Sequence, residues 1–303
     1  MFQFRQLICI SAMTMFCFAE PAASADLGGS IKDAPAPYAE TAPRSQWTHK
    51  FTTYAWLPWI SGDVTVRGRP FAVEATPGDV LSALDWSGIP AWMSYFEARN
   101  GRLALFNDIV YSKLAGSGDF AAGRPGGVLA LNGAIEADYT QAVIEVGAAY
   151  EIWSGASAGA GTHTAVDLLG GARYWYQNTS LSASLNVIVP GPGLIIDGNR
   201  AIVRSGTIDW LDPFIGARVR YQMAPGRLLT VRGDIGGFGI GSDVSWHAIG
   251  TYEFKLFERT GYDFDAYIGY KALSVDYSEG SGNRQYRYDA VQHGPVLGGT
   301  LRF

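Results

Sequence analysis

Cysteine is the scarcest chemistry in this chain: there are two, Cys9 and Cys17, and both fall within the first 25 residues. Without that stretch, no disulfide and no thiolate site is available. Charge is thin as well, at 17 % of residues, and its acidic excess gives a net charge of −5. A nucleic-acid-binding surface needs a basic excess, so nucleic acid is not expected as a partner. The chain lacks the runs of roughly 20 apolar residues that membrane helices require. Histidine is rare too, with His49, His163, His247 and His293 the full set, and no spacing suggests a metal site. No cofactor is expected.

What is abundant is glycine and aromatics: 38 Gly, 16 Tyr, 15 Phe and 9 Trp. That mixture suits many strands, with small residues in tight places and aromatics at the edges. The first 25 residues read as a signal peptide. Arg5 supplies the positive start, residues 7–18 a short apolar core, and Ala23-Ser24-Ala25 an A-x-A cleavage site. Residues Thr14-Met15-Phe16 before Cys17 lack the small side chains of a lipid-attachment site. Removing the segment takes away Arg5 and Glu20, one charge of each sign, so the balance is unchanged. Residues 26–46, punctuated by Pro35, Pro37 and Pro43, read as a flexible periplasmic leader.

A period-two alternation begins at Trp47 and keeps returning. It predicts strands over residues 47–57, 91–99, 102–113, 138–152, 164–176, 211–222, 227–237, 244–256 and 262–277, and a last one ending at Phe303. In that last strand Val291, His293, Pro295, Leu297, Gly299, Leu301 and Phe303 share one face. Asn100-Gly101 is the strongest hairpin signal. It sets an alternation of short inner turns and long outer loops, the latter including a Gly- and Ala-rich loop near residues 116–135 and one near 178–207 in which both neighbouring strands could continue beyond the membrane. The connection at 58–90 is the longest. Within it, residues 63–66 and 71–74 flank the turn Arg67-Gly68-Arg69-Pro70, and Thr76 caps a helix beginning at Pro77 and running to about Leu84.

In Ala142-Ile144-Val146-Ala148-Tyr150-Ile152 and in Trp246-Ala248-Gly250-Tyr252-Phe254-Leu256, one face is apolar for the height of a membrane. The opposite faces carry Gln141, Glu145 and Glu151, or Ser245, His247, Glu253 and Lys255. With the secretion signal and the aromatic carboxy-terminal residue, this predicts an all-β fold: a transmembrane antiparallel up-and-down β-barrel over residues 47–303. Ten strands are expected, with eight or twelve as alternatives, and the even count brings both ends to the periplasm. A soluble sandwich is the competing arrangement, with its apolar face inside.

The inward faces would then collect Lys50, Glu97, Arg99, Asp108, Glu145, Asp167, Arg173, Arg218, Arg220, Arg232, Asp234, Glu253, Lys255, Asp265, Lys271 and Arg302. In so narrow a barrel these charges should pair. The leading reading is a structural or surface-interaction barrel with a side-chain-filled lumen. The alternative is a narrow porin-like path for ions or small solutes, with Arg218, Arg220, Arg232, Asp234, Arg173 and Glu145 at its constriction. An outer-membrane hydrolase is the third reading; Ser245 and His247, two apart on one strand face, are its best pair. His247 is placed near an outer strand end, and His49, His163 and His293 nearer the inner side. Tyr54, Trp56, Trp59, Trp86 and Trp92 are assigned to the interfacial aromatic girdle. The hairpin and helix of 58–90 fold inward as a plug, cap the outside, or meet lipopolysaccharide phosphates through Arg67 and Arg69.

Six stretches carry a resemblance: Trp56-Leu57-Pro58-Trp59-Ile60-Ser61-Gly62, Phe96-Glu97-Ala98-Arg99, Gly170-Gly171-Ala172-Arg173-Tyr174-Trp175, Asp209-Trp210-Leu211-Asp212-Pro213, Asp234-Ile235-Gly236-Gly237-Phe238-Gly239 and His293-Gly294-Pro295-Val296-Leu297-Gly298. Through them the chain resembles a poorly characterised group of Gram-negative outer-membrane β-barrel proteins. The leader Gly29-Ser30-Ile31-Lys32-Asp33-Ala34-Pro35 looks like the start of small alphaproteobacterial surface barrels. The resemblance implies fold and outer-membrane location, with no activity or site to carry over. It also implies that the last strand, with Phe303, is the signal read by the barrel-insertion machinery, and that outer-membrane lipid and lipopolysaccharide are partners.

Overall fold

The computed structural model describes residues 47–66, 68–123, 130–157, 161–188 and 198–303, with side chains left undescribed over 118–123, 130–135, 183–188 and 198–204. The signal peptide, the leader and Arg67 lie outside the described residues.

Ten strands close into an antiparallel barrel. They are β1 (Thr48–Trp56), β4 (Ala91–Asn100), β5 (Leu103–Gly123), β6 (Ala130–Ala156), β7 (His163–Ile188), β8 (Gly198–Ala224), β9 (Arg227–Gly236), β10 (Val244–Arg259), β11 (Tyr262–Glu279) and β12 (Tyr286–Arg302), each paired with the next. β12 returns to β1 with Lys50 opposite Arg302 and Trp56 opposite Val296, so the sheet has no free edge at that height. The two ends of the barrel meet at the inner rim, where His49 and Phe303 exchange N–H···O bonds of 2.8 and 3.0 Å.

Two further strands, β2 (Trp59–Val66) and β3 (Arg69–Ala75), stand outside this ring of ten. β2 carries on the register of β1: Leu57 N–H donates to Pro295 C=O at 3.1 Å, and Trp59 faces His293. β1 and β2 are therefore one pairing line along β12, interrupted only where Pro58 cannot donate. Gly294 and Gly298 make this close pairing feasible. A Cβ on either would sit 2.1 Å from a carbonyl of the facing strand, Leu57 O or Thr53 O. The β2–β3 hairpin thus raises the wall on the outer side and does not enter the lumen as a plug. The helix α1 (Pro77–Ser82) follows, held by a reciprocal capping box between Thr76 and Asp79. The segment after it lies along β5, with Asp85 N–H donating to Lys113 C=O at 2.9 Å.

Three differences from the sequence expectation concern length, turn and facing. First, residues 116–123 and 130–135 belong to strands, and β6, β7 and β8 run for 27, 26 and 27 residues. A crossing takes about 9–11 residues, so this side stands higher by about 16 residues, roughly 50 Å along the strand. β9 has only 10. Over it, the outer connection is pinned by the buried Asp212 carboxylate, which accepts from Ser242 N–H at 2.7 Å and Ser242 Oγ at 2.8 Å. Second, the β4–β5 turn is centred on Gly101-Arg102, because Asn100 pairs with Leu103 and the positive φ of 56° falls on Gly101. Third, Tyr54 and Trp56 are buried in the lumen, whereas Trp59, Trp86 and Trp92 are exposed on the outside. The parity of β1 decides this: Thr52, Tyr54 and Trp56 share the buried face.

The facing of the wall is inside-out. Leu105, Val146, Leu168, Ile215, Val231 and Ile268 are all exposed, and charged residues fill the buried set. In water such a continuous apolar exterior would aggregate; in lipid it is the required surface. The protein is a transmembrane barrel of the outer membrane.

Candidate functional site: the lumen

Inward residues come from alternate positions of every strand, and the lumen they fill has two storeys. The outer storey is aromatic and amide. Trp175, Trp210 and Tyr277 form a continuous stack, with centroids 5.4 and 4.1 Å apart and interplanar angles of 10°. Beside them Tyr286 Oη donates to Gln177 at 2.7 Å, and Gln292 bridges Gln141 at 3.2 Å and Tyr288 at 3.0 Å. These groups carry no charge and fill this part of the lumen with buried side chains.

At mid-height stands a closed ring of four charged side chains. Arg173 donates to Glu145 at 2.8 Å and to Asp234 at 2.7 Å, and Arg232 donates to the same two carboxylates at 2.8 and 3.0 Å. Both carboxylates are thus shared by both guanidinium groups, and each arginine is further covered by the Phe214 ring, 5.1 and 5.4 Å away. Asp234 reaches this position opposite Gly216, where any Cβ would come within 2.5 Å of the aspartate's own. His247 Nδ1 also contacts Asp234 Oδ2, at 3.2 Å.

Below the ring, Asp167 is fully buried and takes three arginines: Arg218 at 2.8 Å, Arg220 at 2.9 Å and Arg99 at 3.2 Å. Glu97 binds Arg218 and Arg99, and Glu151 binds Arg220 at 2.7 Å. Lys271 pairs with Asp108 at 2.7 Å between the rings of Tyr54 and Trp56, and Tyr54 donates to the same carboxylate. Nearest the inner rim, Glu253 is held by Lys50 and Arg302, and Lys255 binds Asp263 and Glu258. Fifteen of the sixteen charges expected to face inward therefore do so in ion pairs, whereas Lys255 is exposed at the rim, next to the register shift between Lys255 and Phe257. A cavity of about 600 Å³ remains in this storey and opens at the inner rim, where Arg259, Tyr262 and Phe303 border it.

Arg173, Glu145, Arg232 and Asp234 come together in the ring, while Arg218 and Arg220 belong to the Asp167 cluster. Phe303 lies at the rim with its ring stacked on His49 at 5.4 Å. Ser245 Oγ is buried without a hydrogen-bond partner, so the Ser245–His247 pair is not joined by a hydrogen bond. His293 faces outward at the base of the hairpin, stacked on Trp59 and bonded to Tyr270 Oη at 2.6 Å, rather than at the inner side. The outer storey was not anticipated. Its signal was present in the inward parity of Trp175, Trp210 and Tyr277, the first two of which face each other across β7 and β8. Among the described residues no cluster of His, Cys, Asp and Glu suited to a metal ion occurs.

No family model matches the sequence, and no curated protein matches it. Among solved structures the fold is similar to the outer membrane protease OmpT from Escherichia coli, at 8 % identity over 86 % of this chain and 97 % of that one, with a TM-score of 0.43. It is also similar to a Pseudomonas aeruginosa FadL homologue, at 9 % identity over 85 % and 90 %, TM-score 0.27. The translocator domain of the autotransporter NalP from Neisseria meningitidis gives 11 % identity over 84 % and 87 %, TM-score 0.23.

Proposed function

We propose that this protein is a structural or surface-interaction barrel of the alphaproteobacterial type named above, non-enzymatic, with a lumen closed to through-flow. The observation that carries the reading is the ring of Arg173, Glu145, Arg232 and Asp234 beneath the aromatic stack. An ion path needs charged groups left free to replace hydration water. Here each charge at mid-height is already engaged by a side chain of opposite sign. The tall β5–β8 side and the β2–β3 hairpin supply the surface, and Arg69 on β3 is exposed to meet lipopolysaccharide phosphates.

Planar-bilayer recording on purified, folded protein tests the closed lumen. A silent bilayer is expected, and steady single-channel steps would sink the reading in favour of the porin-like one, with the ring as its constriction. For the non-enzymatic part, the barrel is offered lipid and peptide substrates; turnover that His247→Ala stops would replace it with the hydrolase reading. Phe303 is proposed as the assembly signal read by the insertion machinery. Phe303→Ala is expected to lower outer-membrane levels, and normal levels would remove that role.

A further inference from the structure

The ion pairs of the inner storey balance in number but not in direction. Lys50, Arg99, Arg218, Arg220, Arg232 and Arg302 all line the 600 Å³ cavity. Of the carboxylates they bind, only Glu97 does; Glu145, Glu151, Asp167, Asp234, Glu253 and Asp265 stand behind them. Side-chain length explains the layering: long Lys and Arg stems carry their charge toward the axis, and the shorter carboxylates stay nearer the wall. Glu97 is joined on the cavity surface by Asp108, Glu258 and Asp263, and with Arg259 the lining holds seven Lys and Arg against four carboxylates. An excess of one sign of charge within low-dielectric walls concentrates the opposite sign.

Two polar groups on this surface are left over from the protein's own pairing. At the rim, Arg259 forms no ion pair among the described residues, although Glu258 and Asp263 beside it are engaged with Lys255. At the deep end, His247 is 2 % exposed and spends Nδ1 on Asp234, which leaves Nε2 unpartnered in the cavity wall. A buried polar atom without a partner costs about 1–3 kcal/mol, and a ligand that supplies the partner recovers it. The ring above closes the far end, so the cavity is blind, and its volume suits a small molecule.

We propose that the inner storey is a binding pocket for a small hydroxylated organic anion, a carboxylate or phosphate, that enters from the periplasmic rim. Its charge meets the arginine surface and a hydroxyl meets His247 Nε2. The pocket does not depend on the surface role, and conductance and binding are read separately.

Isothermal titration of the full-length barrel in neutral detergent tests it, with citrate, inorganic phosphate and uncharged glucose as probes. Saturable binding of citrate or phosphate is expected, weakening as salt is raised, with no binding of glucose. Thr230→Glu puts a carboxylate on the cavity surface without removing an ion pair and should weaken binding about tenfold. Arg259→Gln, at the exposed rim, should weaken it less and serves if the first variant fails its heat-modifiable gel shift. No saturable binding of either anion, or binding that both folded variants leave unchanged, overturns the proposal. Glucose binding as tight as citrate would do the same.

Discussion

The outer and inner storeys of the lumen are held by opposite chemistry, and the contrast shows what each kind of contact contributes. Above the ring, neutral rings and amides occupy the space, and each contact is worth little by itself. Below it, charges occupy fixed positions and leave a cavity between them. Stacked rings attract at close range and draw the wall in. Ion pairs instead set a distance: Arg218 links β8 to β4 across the lumen through Glu97, and Arg302 links β12 to β10 through Glu253. An interior held by such struts tolerates a void that an apolar core would collapse upon.

The sharpest way to break the comparison is to remove one strut. Arg173→Met leaves Glu145 and Asp234 with a single guanidinium between them, and a buried charge stripped of its partner costs about 3–5 kcal/mol. Urea unfolding in lipid vesicles should show that loss, and Arg173→Met with Glu145→Gln should recover part of it. A loss no larger than for a neutral contact would mean that water enters the ring. In the outer storey Trp210→Phe keeps an aromatic ring between Trp175 and Tyr277, so the same measurement should give less than about 1.5 kcal/mol. A loss as large as that of Arg173→Met would erase the distinction between storeys.

The smallest effect belongs to an ion pair outside both. Asp85 accepts from Lys113, on the outer surface, and the Lys113 hydrogen bond, with Ser87 adding to it, holds the Asp85 carboxyl well below its ordinary value. A depressed folded pKa stabilises above the unfolded value, near 3.9, and is lost as pH falls through the folded one. Protease sensitivity of the segment after α1 should therefore be unchanged between about pH 7 and 5. Asp85→Asn should raise it slightly at neutral pH. A rise already at pH 5 would show that the pair does not hold the segment.

Much of this was legible in the sequence because a barrel strand has one variable, its parity. Once Val146 or Trp246 is put outside, Glu145 and His247 are inside, and fifteen of the sixteen charges expected inside follow without any knowledge of contacts. Their partners did not follow. Arg173 on β7 reaches Asp234 on β9, and Glu97 on β4 meets Arg218 on β8, pairings that depend on barrel diameter and stagger. The length of β5 and β6 was hidden for another reason. Gly116-Ser117-Gly118 and Asn132-Gly133-Ala134 offer no apolar alternation in the sequence, so the period-two signal stops there. Tyr54 and Trp56 show the reverse error: a preference of aromatics for interfaces was set against parity, and parity decided.

The seam between β1 and β12 also joins the two ends of the chain. Thr52 and Thr300, whose hydroxyls meet at 2.8 Å, are 248 residues apart, so this pairing closes the longest loop in the barrel. Loop closure of that span is the slowest kind of contact to form and the least supported by local structure. Until it forms, β1 with β2 and β12 each present an open edge, ready to pair with whatever strand is nearest. The barrel is whole only once this last pairing is made, and a side chain at 294 or 298 would stand in its way.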